Sequence, residues 1–236
     1  VFCNLTEEDI FRSIAEMKKN IDECNVLMIS GGFSAGDEPD GSGKFIANVL
    51  NNKDIADSVH ALLDRGGLIL GICNGFQALV KSGLLPYGRL GQVTKDSPTL
   101  FRNDINRHIS QIVTTRVGTT NSPWLSGFAV GDLHTIAVSH GEGKFVVNEE
   151  LAKELFANGQ VAFQYVDPLE EEPTMESPYN PNGSYYAIEG IISKNGQILG
   201  KMGHTERYEG NLFKNIIDEG LEQPLFDNAV AYFRGE

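Results

Sequence analysis

Basic residues are scarce in this 236-residue chain: 19 Lys and Arg stand against 32 Asp and Glu, for a formal charge of −13. Nucleic-acid binding needs a Lys/Arg surface to neutralise phosphates, so the composition argues against it. Cysteine is scarcer still, with only Cys3, Cys24 and Cys73, an odd number without a CxxC pair. A disulfide framework and zinc-finger spacing are thereby excluded, and each thiol has to be judged alone. No apolar run approaches the roughly 20 residues of a membrane helix, and the N-terminal VFCNLTEEDI has no basic stretch leading into an apolar one. These lacks point to a cytoplasmic location. The apolar share of 41% suits an ordinary globular domain.

Residues 5–21 place apolar side chains at helical spacing behind Thr6, with Asp9 three positions later as in a capping box. NVLMISGG (25–32) reads as a short buried strand stopped by glycines. Helical patterns at 45–52 and 54–67 follow, then a second apolar run, GLILGIC. Strand, helix, strand, helix in that order predicts βαβ units and a parallel sheet. Beyond Pro86 the chain turns strand-rich, and Asn195-Gly196 signals a hairpin joining AIEGII to QILGKM. Residues 168–184 read as an acidic, Pro-rich surface loop, and NLFKNIIDEGL and LFDNAVAYFRG as closing helices. There is no internal repeat.

Cys73 has the most informative surroundings. Gly71-x-Cys73-x-Gly75 lies between a strand and a helix, the thiol version of the G-x-S-x-G nucleophile elbow. A helix starting behind the thiol favours its thiolate, the attacking form. The plainer reading is a buried cysteine packing as a small hydrophobe. A thiol nucleophile needs a base, and of the five histidines only His204 comes with an acid at strand spacing, Glu206. DGSGKF invites a phosphate-loop reading, which fails because position 38 is Glu and position 45 is Phe. Gly31 and Gly32 instead suit backbone N–H groups that stabilise an oxyanion beside Cys73. SHGEGKF (139–145) fits either a close approach of backbone to ligand or a simple turn, and YNPNGS (179–184) reads as turns. EEPTMES offers no metal-ligand geometry.

Taken together, GGFSAGD, GICNGFQALVKSGLLP, RND, SHGEGKF, NPNGS before an IEGI strand, and the HTER segment resemble class I glutamine amidotransferases. Within that class they are most similar to the glutaminase domains of phosphoribosylformylglycinamidine synthases. The resemblance covers residues 26 to about 210. It implies an α/β, three-layer fold whose mostly parallel central sheet is flanked by helices, with an added antiparallel strand-rich portion. It implies Cys73 as nucleophile, His204 as proton shuttle and Glu206 as its orienting acid. Backbone N–H groups of Gly32 or Phe33 and of Asn74 would form the oxyanion hole, and Gln77, His140 and Gly141 would hold glutamine. It further implies L-glutamine as substrate and no metal or cofactor in this domain. ATP and Mg²⁺ are expected in a partner synthase domain, whether on the same chain or on a separate subunit.

Two departures accompany the resemblance. The usual Pro-His-Pro-Glu-Arg reads Gly203-His204-Thr205-Glu206-Arg207 here, which bears on local rigidity rather than chemistry. The family's domain also begins with an additional strand, so residues 1–236 are expected to form a single amidotransferase domain, a C-terminal fragment without its first strand. DEPDGSGKF resembles the long single-chain synthases more than the small free-standing subunit. Two alternatives stay open: another Cys-His-Glu amidase, such as a γ-glutamyl hydrolase, or a non-catalytic interaction module that keeps the elbow as structure.

Overall fold

The structure, a computed structural model, describes residues 4–32, 43–207, 212–213, 216 and 222–235. Helix α1 (Glu7–Glu23) starts at the expected capping box, with Thr6 accepting from the Asp9 N–H and the Asp9 carboxylate accepting from the Thr6 N–H. Strand β1 (Val26–Ile29) leads through the Gly31-Gly32 turn toward helices α2 (Lys44–Leu50) and α3 (Lys53–Asp64). Strand β2 (Leu68–Ile72) and helix α4 (Asn74–Ser82) then meet at Cys73, and a short turn of helix, α5 (Leu84–Tyr87), follows. The strand-rich half contains β3 (Thr99–Phe101), β4 (Ile109–Val117), β5 (Leu133–His140), β6 (Lys144–Val146), β7 (Val161–Tyr165), β8 (Ile188–Ile192) and β9 (Ile198–Lys201). Helix α6 (Glu149–Ala157) interrupts it, and α7 (Leu225–Arg234) follows β9.

Seven of these strands form one sheet in the order β1-β2-β9-β8-β7-β4-β5, while β3 and β6 pair separately. β1, β2 and β9 run parallel, and the pairs from β9 to β5 are antiparallel. The parallel block and the strand-rich portion are therefore continuous. β9 joins them, arriving from the Asn195-Gly196 hairpin, where Gly196 sits at φ 76.

β2 is buried at every position, as an apolar run between parallel neighbours should be. Each fully buried Leu or Ile there contributes about 1.5–3 kcal/mol of transfer free energy. β1 departs from expectation: Val26 and Met28 are 36% and 38% exposed, because among the described residues β1 is an edge strand. The second departure is YNPNGS. Asn180, Asn182 and Ser184 are buried rather than surface turn residues: Asn182 and Ser184 bind the Gly143 carbonyl of another loop, and Asn180 braces the segment by donating to the Ser184 carbonyl. α6 and β3 carried no recognised signal, and most of NLFKNIIDEGL lies outside the described residues. No described helix is long and apolar enough to cross a membrane.

Candidate active site at the β2 and β9 strand ends

β2 delivers Cys73 to the sheet edge in a conformation that L-residues rarely adopt, φ 53 and ψ −105. Such a conformation costs about 1–3 kcal/mol and persists only where its surroundings enforce it. Here they do. The Cys73 N–H donates to the Lys201 carbonyl at 2.8 Å, and the Cys73 carbonyl accepts the Gln77 N–H at 3.1 Å as α4 begins. The glycines of the motif are required by contact: a Cβ on Gly75 would lie 1.9 Å from the Ile29 carbonyl oxygen, and one on Gly71 would lie 2.8 Å from the Gly75 backbone. The turn is thus wedged between β1 and α4. The Cys73 thiol is buried and lies 3.7 Å from the Ser139 carbonyl.

β9 runs parallel beside β2, so the residues beyond its end emerge at the same edge. His204 follows three residues later, its N–H donating to Ala137 of β5 at 2.9 Å. Its Nδ1 is 2.6 Å from the Glu206 carboxylate, and its buried Nε2 has no hydrogen-bond partner among the described residues. Burial pushes the Glu206 carboxyl up, but the hydrogen bond and charge of His204, aided by Arg207, outweigh it and hold the group below its ordinary value. Gly31 marks how close ring and thiol are. A Cβ there would lie 2.8 Å from His204 Cε1 and 3.2 Å from Cys73 Cβ. Cys73, His204, Glu206 and the Gly31-Gly32 turn therefore share one place.

Of the residues expected at an oxyanion hole, Asn74 opens α4 and Gly32 follows β1 at φ 138, while Phe33 lies outside the described residues. The N–H groups of a first helical turn have no intrahelical acceptor, which suits Asn74 to that place.

Gln77, His140 and Gly141 also converge, through one hydrogen-bonded network. Gln77 donates its amide to the Glu142 carbonyl and accepts from Asn74 Nδ2 at 3.3 Å. His140 is 3% exposed, and burial, reinforced by the nearby His108 and His204, pushes its pKa down to about 3, so the ring is neutral. A Cβ on Gly141 would meet nothing within 4 Å, so space adjoins this glycine.

The residue that sequence reasoning left without a role is Asn103. Its amide donates to the carbonyls of His140 at 2.8 Å and Arg107 at 3.1 Å, and its Oδ1 accepts the Gly143 N–H at 3.0 Å. Asn182 and Ser184 hold the Gly143 carbonyl from the other side, at 2.9 and 3.3 Å. The 139–145 segment is fastened from both ends. Among the described residues, no cluster of three His, Cys, Asp or Glu side chains is arranged to hold a metal.

Known proteins are similar to this chain over nearly its whole length. The phosphoribosylformylglycinamidine synthase subunit PurQ of Gloeobacter violaceus is 34% identical over 220 residues, covering 93% of this chain and 87% of the relative. Its counterpart from Methanococcus maripaludis is 36% identical over 234 residues, covering 92% and 84%. Among solved structures, PurLQS from Thermotoga maritima superposes with a TM-score of 0.65 at 26% identity, covering 90% of this chain and 81% of that one. The glutaminase domain of Trypanosoma brucei CTPS, at TM-score 0.51 and 12% identity, covering 94% and 75%, shares the fold. The CobB/CobQ-like glutamine amidotransferase domain matches residues 4–233, and this chain is a member of that family.

Proposed function

We propose that this chain is the glutaminase component of a phosphoribosylformylglycinamidine synthase of purine biosynthesis. It hydrolyses L-glutamine to glutamate and ammonia and passes the ammonia to a synthase partner. The observation that carries the reading is Cys73 on its positive-φ turn, beside a His204 ring held by Glu206. The family to which the chain belongs and the names of its PurQ relatives supply the substrate and the partner.

The chemistry follows from the positions. His204 Nε2 takes the thiol proton, and Cys73 Sγ attacks the side-chain carbonyl carbon of glutamine. The oxygen gains the charge of the broken π bond and is met by backbone N–H groups of Asn74 and of Gly32 or Phe33. Each such donor is worth about 10²–10³ in rate. His204 then returns its proton to the leaving amide nitrogen, which departs as ammonia and leaves a thioester on Cys73. Water, deprotonated by the same ring, cleaves the thioester to glutamate and restores the thiol. Gln77 and His140 hold the 139–143 turn in place for glutamine, and the open side of Gly141 admits its α-amino and carboxylate groups. This half-reaction needs no cofactor; ATP and Mg²⁺ act in the synthase partner, and the protein works in the cytoplasm.

The test is alkylation by a chloroketone analogue of glutamine, with the adduct mapped by mass spectrometry. A single adduct at Cys73, blocked by excess glutamine, is expected. Modification only at Cys24 or Cys3 overturns the reading, and faster turnover of γ-glutamyl peptides than of glutamine redirects it to a γ-glutamyl hydrolase.

A further inference from the structure

Behind the site, two ionisable side chains without a part in the chemistry above are buried together. Lys201 and Glu189 are both 0% exposed, with Nζ 3.7 Å from Oε1. Lys201 closes β9 and Glu189 lies on the adjacent antiparallel β8. Taking two charges out of water is costly, and a buried pair commonly adds no more stability than apolar residues of the same size. Where its hydrogen bonds go is therefore informative.

They go to the residues on either side of His204. Lys201 Nζ donates to the Gly203 carbonyl at 3.0 Å and to Thr205 Oγ1 at 3.2 Å. Glu189 Oε1 accepts the Gly203 N–H. Thr205 Oγ1 in turn donates a hydrogen bond to Gln223 Oε1 at 2.7 Å. The backbone of Lys201 meanwhile accepts the Cys73 N–H at 2.8 Å. One residue thus holds the elbow through its main chain and the histidine segment through its side chain. The segment needs holding: Gly203 is the least restrained residue type, and no proline stiffens residues 203–207.

We propose that Lys201 and Glu189 form a buried clamp that sets the position of His204 relative to Cys73, making both positioning residues for the amidase reaction. Lys201 fixes the carbonyl before the histidine and the hydroxyl after it, and Glu189 fixes the N–H of the same segment and balances the charge. Neither touches glutamine. Loss of the clamp lets the ring drift without closing or opening the substrate subsite. A misplacement of about 1 Å costs about 10² in rate, so the limiting rate should fall by about 10- to 100-fold at unchanged affinity.

The inference rests on the proposed glutaminase reading, and the experiment separates the two. The full chain is titrated with the glutamine chloroketone, and the limiting rate and half-saturating concentration of Cys73 alkylation are measured for each variant. Lys201→Met/Glu189→Gln removes both charges and keeps an acceptor for the Gly203 N–H. Thr205→Val removes the hydroxyl at nearly constant shape, and Thr205→Ser keeps it. The double variant and Thr205→Val should alkylate 10- to 100-fold more slowly, with half-saturation within twofold of wild type, and Thr205→Ser should match wild type. Circular dichroism checks folding, and should the double variant fail to fold, the Val and Ser pair decides. If wild type alkylates at Cys73 and Thr205→Val keeps its limiting rate, the clamp is overturned and the glutaminase reading stands. If wild type is not alkylated at Cys73, both fall.

Discussion

Replacing Gly31 with alanine should separate activity from stability, because the added methyl would land between the two groups proposed to react. It would lie 2.8 Å from His204 Cε1 and 3.2 Å from Cys73 Cβ. Carbon atoms pack at about 3.5–4.0 Å, so ring, thiol or turn must retreat by close to an ångström. Gly31 is not at positive φ, so alanine adds no backbone strain, and the overpacking costs about 1–3 kcal/mol of stability. For a pair whose reaction depends on alignment, the same displacement costs about 10² in rate, or ~2.7 kcal/mol of barrier. The assay is glutamine hydrolysis with the synthase partner present, with thermal unfolding alongside. A kcat lowered about 100-fold with KM within twofold is expected in a folded protein. Wild-type kcat in a variant whose Tm has fallen would refute the reasoning, since the methyl would then be absorbed away from the reacting pair.

Gly75→Ala should abolish folding outright, as its Cβ would strike the Ile29 carbonyl at 1.9 Å; Gly141→Ala, with open space around it, should keep the wild-type Tm while raising KM for glutamine. Asn103→Leu takes the side-chain partner from two buried backbone groups, the His140 carbonyl and the Gly143 N–H, at about 1–3 kcal/mol each, and should lower urea stability by about 2–6 kcal/mol while raising KM. His140 gives a pH signature: its folded pKa lies near 3 against 6.5 for the free group, so below 6.5 the unfolded chain binds the proton and the folded one does not. Stability from this group is full above 6.5 and lost as pH falls toward 3, at about 1.4 kcal/mol per unit. Urea unfolding at several pH values should show that slope in wild type and a slope smaller by about that amount in His140→Gln; equal slopes would refute the burial argument.

The elements legible in the sequence were those with a local signature. The capping box at Thr6 and Asp9, the apolar run of β2, the elbow glycines and the Asn195-Gly196 hairpin each encode their geometry within a few residues. Cys73, His204 and Glu206 were singled out by residue type and spacing, although the pairing of His204 with Glu206 rests on a 3-10 turn, Thr205–Arg207, beyond β9 and not on the extended segment expected. What stayed hidden depends on partners distant in the chain. Asn180, Asn182 and Ser184 look like turn formers, and only the fold shows Asn182 and Ser184 facing Gly143 with Asn180 holding Ser184 behind them. Asn103 has no local cue that it fastens His140. The exposure of β1 likewise follows from its place in the sheet rather than from its own apolar composition.

The position of β9 also bears on the order in which the site can come into being. Among the described residues it is the last strand of the sheet in the chain, yet it sits between β2 and β8 rather than at an edge. During synthesis the elbow emerges early and His204 late, and the two meet only when β9 inserts beside β2. Until that insertion Cys73 lacks both its proposed base and the Lys201 carbonyl that accepts its backbone N–H. A nascent chain therefore carries an unarmed cysteine. Closing the sheet, the slow non-local event expected of such topology, is also what switches the chemistry on.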